Sequence, residues 1–280
     1  MPAPELLHAL ADAPGLSVRA EEPLAHHMPL RLGGPVELWI HVQDEAALAC
    51  VLKAARATHS VFRVHWPFQD WLVRDGGLKG AVIRLGRGFE GIDLQEDTVT
   101  IGAAALFSAL PSELEGPFWA DLRRWPGCPG GWAAAGWDEA LDRICVGIRV
   151  HQSGRLQELS PTPGEGMPIL NKNAVLLSLR FRRRVPSGVA LLPPPAPGAI
   201  FHDVDHTTVG MELDRAGLSG TRLRRWRISR IVPGTVVQLG GGSCRDLMLL
   251  VQGARHQVEK TRGVKLKTAI PLLGNEPGRR

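Results

Sequence analysis

Four groups of side chains in this chain could do chemistry by their type and spacing. His202-Asp203-Val204-Asp205-His206 places four metal-capable side chains within five residues. Alternation would set His202 and His206 on one side with Val204. A metal centre needs three or four converging ligands and outer groups that orient them, so the segment reads first as a solvated loop and only second as a metal site. Gly240-Gly241-Gly242-Ser243 precedes a helical pattern, where backbone N–H groups can cradle a phosphate. Its spacing is not that of a Walker loop and the lysine is missing, which favours a structural turn. Arg222, Arg224, Arg225, Arg227 and Arg230 interleave with Trp226, and Arg180, Arg182, Arg183 and Arg184 form a second cluster. Arginine beside an aromatic ring suits phosphate or single-stranded nucleic acid. The same pair is favoured at protein interfaces. Two strands with solvated arginine faces rank ahead of a protein partner, and nucleic acid ranks last. The cysteines, Cys50, Cys128, Cys145 and Cys244, are scattered without a CxxC pair, as expected of reduced thiols in a cytoplasmic protein.

The elements that must position these groups follow from periodicity. Val36–Val42 is a strand, rich in β-branched and aromatic residues. Asp44 caps a helix whose apolar face is Ala47, Leu48, Val51, Leu52 and Ala55. Val61–His65 and Ala81–Leu85 complete a small β-α-β unit with an added strand. The loop Trp66–Asp70 sits where such units commonly place phosphate-binding turns. Ile92–Leu94 and Thr98–Ile101 form a hairpin, and Ile144–His151 and Arg155–Leu159 another around Ser153-Gly154. Between the hairpins lies a Pro/Gly-punctuated stretch, Trp125–Gly136. Ala174–Arg184 is a long strand. Pro186–Pro197 is the linker. Beyond it come a helix around Met211–Ala216, strand regions at Thr221–Ile231 and Val236–Leu239, and a helix capped by Ser243 that buries Leu247, Leu250, Val251, Ala254 and Val258. Val264–Ile270 closes the chain as a strand.

Composition bounds the reading. With 280 residues, 44% hydrophobic and 22% charged, the chain can build two cores. It has eight tryptophans and no tyrosine, and a net charge of +5, which suits anionic ligands or an acidic partner without choosing among them. No signal peptide and no bilayer-spanning stretch are expected.

Several segments, taken in order, carry a family resemblance. Leu30–Val36 (LRLGGPV) resembles FRVGGPA; Leu72–Leu85 (LVRDGGLKGAVIRL) resembles LLVSDxGFxGVVIRL; Pro126–Gly136 (PGCPGGWAAAG) is a shortened PGSVGGAxxMNAG. Gly198–Phe201 stands where GSVF does, Leu213–Gly220 (LDRAGLSG) resembles LIDEAGLKG, and Gly263–Gly274 (GVKLKTAIPLLG) resembles GVELEPEVRLIG. No single motif is specific, but the collinear set is similar to the UDP-N-acetylenolpyruvoylglucosamine reductases, flavoenzymes of cell-wall precursor synthesis. The resemblance implies an α+β fold: a two-subdomain FAD-binding-type (PCMH/MurB-like) lobe, residues 1–86 and 87–186, a Pro-rich linker at 187–197, and a C-terminal α+β substrate-domain-like lobe at 198–280.

The resemblance also implies chemistry that can be checked position by position. The family passes a hydride from NADPH to FAD and then to an enolpyruvyl ether. An arginine and a glutamate stabilise the enolate-like state, and a serine supplies the proton. The serine's place is taken by Ala199 and the glutamate's by Ala269. The arginine's motif, GYRxS, is replaced by Gly164–Asn171 (GEGMPILN). The first phosphate loop, GGGSNLLV in the family, is here Trp66-Pro67-Phe68-Gln69-Asp70-Trp71-Leu72-Val73. Large rings replace glycines whose N–H groups must approach a pyrophosphate, and Pro67 removes a donor. Gly33, Gly34, Gly127, Gly130 and Gly131 remain as vestiges of the cofactor site. Trp66, Trp71, Trp132 and Trp137 are expected to fill the flavin cleft. The expectation is a homologue without catalysis and without a cofactor, kept as a scaffold beside a protein partner in cell-wall synthesis or division. FAD is expected only if the enzyme reading holds. Arg222, Arg224, Arg225, Trp226 and Arg227 are the candidate partner or anion patch.

Overall fold

The computed structural model describes residues 2–69, 71–136, 139–162, 168, 170, 173–189, 191, 198–202, 208–232 and 234–276. In chain order the elements are α1 (Pro2–Ala9), β1 (Leu16–Pro23), β2 (Pro35–Val42), α2 (Glu45–Ala57), β3 (Phe62–Val64), β4 (Leu72–Val73), β5 (Leu78–Leu85), β6 (Ile92–Leu94) and β7 (Thr98–Gly102). Next come α3 (Pro117–Leu122), α4 (Pro129–Ala135), α5 (Glu139–Ile144), β8 (Cys145–Gln152), β9 (Arg155–Leu159), β10 (Val175–Arg182), α6 (Val209–Arg215), β11 (Arg222–Leu223), β12 (Trp226–Ile228), β13 (Val236–Gln238), α7 (Cys244–Arg262) and β14 (Leu272–Leu273).

The chain forms two compact units. One comprises Met1–Ala20, Leu38–Gln69 and Gly80–Pro194; the other Glu21–Glu37, Asp70–Lys79 and Pro195–Arg280. The second unit therefore takes in two stretches that the sequence reading placed in the first subdomain.

In the first unit a four-stranded sheet has the order β1-β2-β5-β3, with β3 parallel to β5 in the register Phe62↔Ala81 to Val64↔Ile83. Helix α2 makes the crossover between β2 and β3. The Asp44 side chain accepts the Ala47 N–H at 2.8 Å, and Ala47, Leu48, Val51, Leu52 and Ala55 are its buried face. The second sheet of this unit is antiparallel, in the order β6-β7-β10-β8-β9. At its tightest turn Ser153 (φ 51°) and Gly154 (φ 83°) are both left-handed, as a two-residue hairpin matched to strand twist requires. Helices α1, α3, α4 and α5 were not legible. The stretch read as a loop at Trp125–Gly136 contains α4, capped by the Cys128 side chain with a proline in its first turn. Helix α3 has six residues, too few for periodicity to register, and is held by buried Phe118, Trp119 and Leu122. The Trp119 indole donates to the Arg183 carbonyl at 2.8 Å.

In the second unit α6 and α7 and the three-stranded sheet β11-β12-β13 enclose a core of Trp226, Ile228, Leu247, Val251 and Val258. Helix α7 starts at Ser243, whose hydroxyl accepts the Asp246 N–H at 3.1 Å, and ends at left-handed Gly263 (φ 70°). Glu212 on α6 is 2% exposed; its carboxylate takes Arg215 at 3.0 Å and Arg262 of α7 at 3.2 Å. The expected closing strand Val264–Ile270 is not a strand. That segment pairs only around Thr268, through a bridge to Phe201, and Pro271 brings no N–H to extend a ladder. The true closing strand is β14, parallel to β4 in the register Leu272↔Leu72 and Leu273↔Val73.

Candidate functional site

Two positions where the resemblance implies catalytic groups are brought together in the second unit. The Ala269 N–H donates to the Ile200 carbonyl, and the His202 N–H to the Lys267 carbonyl, both at 2.9 Å. On its other side the segment is tied by an Ala199↔Thr235 bridge and by the Val236 N–H to the Gly198 carbonyl at 2.9 Å. The backbones of the two segments are thus paired. Ala199 and Ala269 end in methyl groups, which can neither give a proton nor carry charge. The third position falls in Gly164–Asn171. Pro168 and Leu170 are its described residues, and the rest lies outside them.

The two loops that would cradle a cofactor phosphate meet in the first unit. Trp66 is 6% exposed and its ring lies over Gly130: a β-carbon at Gly130 would sit 2.4 Å from the indole. A β-carbon on Gly131 would lie 3.4 Å from that of Trp66. Trp132, also buried, packs edge-on against Phe107 and Trp125, with ring centroids 5.9 and 5.7 Å away. The N–H groups of the glycine pair are in use: Gly130 donates to the Ala103 carbonyl at 2.9 Å and Gly131 to the Cys128 sulfur at 3.4 Å. The first loop closes on itself, with the Trp66 N–H on the Gln69 side-chain oxygen and the Gln69 N–H on the Trp66 carbonyl, each at 3.2 Å. A pyrophosphate needs free donors and open space above glycine; these residues offer it neither. The Cys128 thiol is pushed up to about 11 by burial, so it stays protonated and is no nucleophile.

The other predicted residues fall elsewhere. Trp71 is buried in the second unit, so the structure does not assemble the four tryptophans within one unit; Trp137 lies outside the described residues. Gly127 (φ 129°) turns the chain ahead of α4, its carbonyl taking the Phe107 N–H. Gly33 and Gly34 serve a tight turn in the second unit, where a β-carbon on Gly34 would meet the Asp75 carbonyl oxygen at 2.3 Å. Gly242 seats the Trp226 indole 2.5 Å from where its own β-carbon would be, which supports the structural reading of the GGGS turn. Of the His/Asp segment, His202 is described and the four residues after it are not; among the described residues no cluster of three His, Cys, Asp or Glu could hold a metal.

One expected patch residue is corrected. Trp226 is 0% exposed and donates to the Ser243 carbonyl at 3.0 Å, because β12 alternates and sends Trp226 and Ile228 inward together. Arg224 at the β11–β12 turn is paired with Asp246 at 2.8 Å. Arg222, Arg225 and Arg227 are exposed. In the second cluster, Arg183 binds the Gln95 and Glu113 carbonyls.

Sequence reasoning missed Asp75. Its carboxylate accepts the N–H groups of Cys244 at 2.9 Å and Arg245 at 3.2 Å, filling the anion position at the start of α7. No local signal marks a cap supplied from 169 residues away. A cavity of about 150 Å³ beside it is lined by Arg74, Met248, Leu249 and Glu276.

No family model matches the chain. Whole-length relatives are found among curated proteins. The UDP-N-acetylenolpyruvoylglucosamine reductase of Paracoccus denitrificans (strain Pd 1222) is 30% identical over 285 residues, spanning 88% of this chain and 92% of the relative. The reductase 2 of Symbiobacterium thermophilum is 26% identical across 99% of this chain and 98% of its own length. Among solved structures, the UDP-N-acetylenolpyruvylglucosamine reductase of Thermus caldophilus superposes with a TM-score of 0.68 at 21% identity, covering 92% of this chain and 98% of that one. The fold is thus the α+β, FAD-binding-type architecture of that structure. On the length and identity of these matches, the chain belongs to the UDP-N-acetylenolpyruvoylglucosamine reductase family, as a divergent member.

Proposed function

We propose that this protein has given up flavin binding and the reduction its relatives are named for, and that it works as a folded binding scaffold. The observation that carries the reading is the Trp66 ring seated on Gly130, with both glycine N–H groups satisfied inside the protein. Ala199 and Ala269 support it from the other unit. Removing one proton donor or one charge-stabilising group costs roughly a hundredfold in rate, and here both positions are methyls on an otherwise intact frame. Its setting in this reading is cytoplasmic, beside peptidoglycan precursor synthesis or cell division, with a protein partner. The described helices include none long and apolar enough to cross a membrane.

The test is the visible absorbance of native purified protein, with acid release of any bound flavin. The expected result is a colourless protein that neither carries FAD nor takes it up when FAD is added in excess. A yellow protein with one FAD per chain overturns the reading. The altered-reductase alternative is favoured by the whole-length match to reductases. It expects that bound FAD, together with NADPH oxidation that depends on UDP-N-acetylglucosamine enolpyruvate.

A further inference from the structure

The three-stranded sheet of the second unit has one face inside and one outside. Cross-strand pairing aligns Leu223 with Trp226, and Ile228 with Val236, on the inner face. The outer face carries the row Arg222↔Arg227↔Val237, one residue from each strand. All three are exposed. Two arginines directly opposite on neighbouring strands repel, and such a pair weakens a sheet relative to neutral residues. From Arg215 to Arg245 the sequence contains seven arginines and no aspartate or glutamate. Among the described residues, no ion pair is formed by Arg222, Arg227 or Arg230, whereas Arg224 in the same run is paired with Asp246.

Aliphatic side chains accompany the charges. Val237 is 36% exposed on the same row, and Ile231, in the loop that leaves β12, is 89% exposed. That loop is held in shape: the Ser229 hydroxyl accepts the N–H groups of Ile231 at 3.1 Å and Val232 at 3.0 Å, and the Thr235 hydroxyl donates to the Val232 carbonyl at 2.8 Å. The Arg222 Nε donates to the Arg224 carbonyl at 2.8 Å, which fixes its direction, and a preorganised apolar tip beside guanidinium groups without a carboxylate partner among the described residues loses little on binding. Trp226, the one aromatic residue between Arg215 and Arg245, is buried and offers no face on which a base could stack.

We propose that the outer face of β11-β12-β13 is a docking surface for an acidic, aliphatic segment of a partner protein. Carboxylates of that segment take Arg222 and Arg227 bidentately, and its apolar side chains cover Val237 and Ile231. The inference gives the scaffold reading a surface and is tested separately: the flavin spectrum reports on the lost chemistry, peptide titration on this face, and either can fail alone.

The experiment uses the full chain and fluorescence anisotropy. The probe is a labelled extended peptide alternating Glu and Val, against the same peptide with Gln for Glu and a labelled single-stranded oligothymidylate. The expected result is saturable binding of the Glu peptide, at least about tenfold tighter than the Gln peptide. Arg222→Glu is expected to abolish that preference while the protein melts no lower than the unaltered chain, since the substitution turns a repelling pair into an attracting one. Arg222→Lys is expected to keep most of the binding. The proposal is overturned by equal binding of the two peptides, by no binding (a solvated face only), by an Arg222→Glu protein that binds as before, or by an oligonucleotide that binds more tightly than the Glu peptide.

Discussion

Trp66 and Gly130 interlock so closely that each dictates the other's size. The indole is buried within the first unit's core, and the glycine is the one residue whose surface lets it lie there. Trp66→Ala should therefore leave a cavity and cost about 3–5 kcal/mol. Gly130→Ala should force ring and backbone apart and cost about 1–3 kcal/mol. Urea denaturation measures both, and the double variant should cost less than their sum, because the second change no longer meets a ring. If the costs simply add, the two residues do not share the contact. That Trp66-Pro67-Phe68 is a poor phosphate cradle was legible, since residue type alone decides whether N–H groups can close on a phosphate. That the ring would come to rest on Gly130 was not legible, because the two are distant in sequence. Trp226 shows the opposite failure. Its inward direction was present in the alternation Trp226-Arg227-Ile228, but the surrounding arginines drew the reading toward a surface role.

At the scale of elements, α7 illustrates how a helix start can be secured twice. Ser243 supplies the local cap and Asp75 a distant one. Ser243→Ala should cost about 1 kcal/mol. Asp75→Ala should cost a similar amount or more, since it removes a carboxylate from the positive end of the helix dipole. Thermal melting of the two single variants checks both, and an unchanged melting temperature for Asp75→Ala would refute the second cap. Long periodic elements such as α2 and α7 were readable with their buried residues, because a 3.6-residue period over several turns is a strong signal. Short ones were not. Helices α3 and α4 run for six and seven residues and rest on tertiary contacts. At the C-terminal end, apolar spacing indicated a strand at Val264–Ile270, yet the pairing partner β4 meets the chain two residues later.

For the whole molecule, buried thiols make stability depend on alkaline pH. Burial pushes Cys128 up to about 11 and Cys145 up to about 12, from an ordinary value of 9.0. Both stay protonated in the folded protein while the unfolded chain loses protons above pH 9. Their contribution is thus complete below that pH and is lost as pH rises toward the folded values, at up to about 1.4 kcal/mol per pH unit for each thiol. Melting temperatures followed from about pH 8 to about pH 11 should fall steadily beyond 9. Cys145→Ala should flatten the fall; the same slope in that variant would show that the thiol does not drive it.

Residue identity and order sufficed for what depends on local chemistry: the caps at Asp44 and Ser243, the Ser153-Gly154 turn and the helical faces. The collinear motifs also sufficed for the family, because a fold is preserved by many weak matches in order. Tertiary structure alone decided which distant groups meet. It drew residues 21–37 and 70–79 into the second unit, placed the Asp75 carboxylate on α7, laid Trp66 over Gly130 and opposed Arg222 to Arg227. The first three join residues far apart in the sequence and the last is a matter of strand register; none is encoded in the spacing of neighbouring residues.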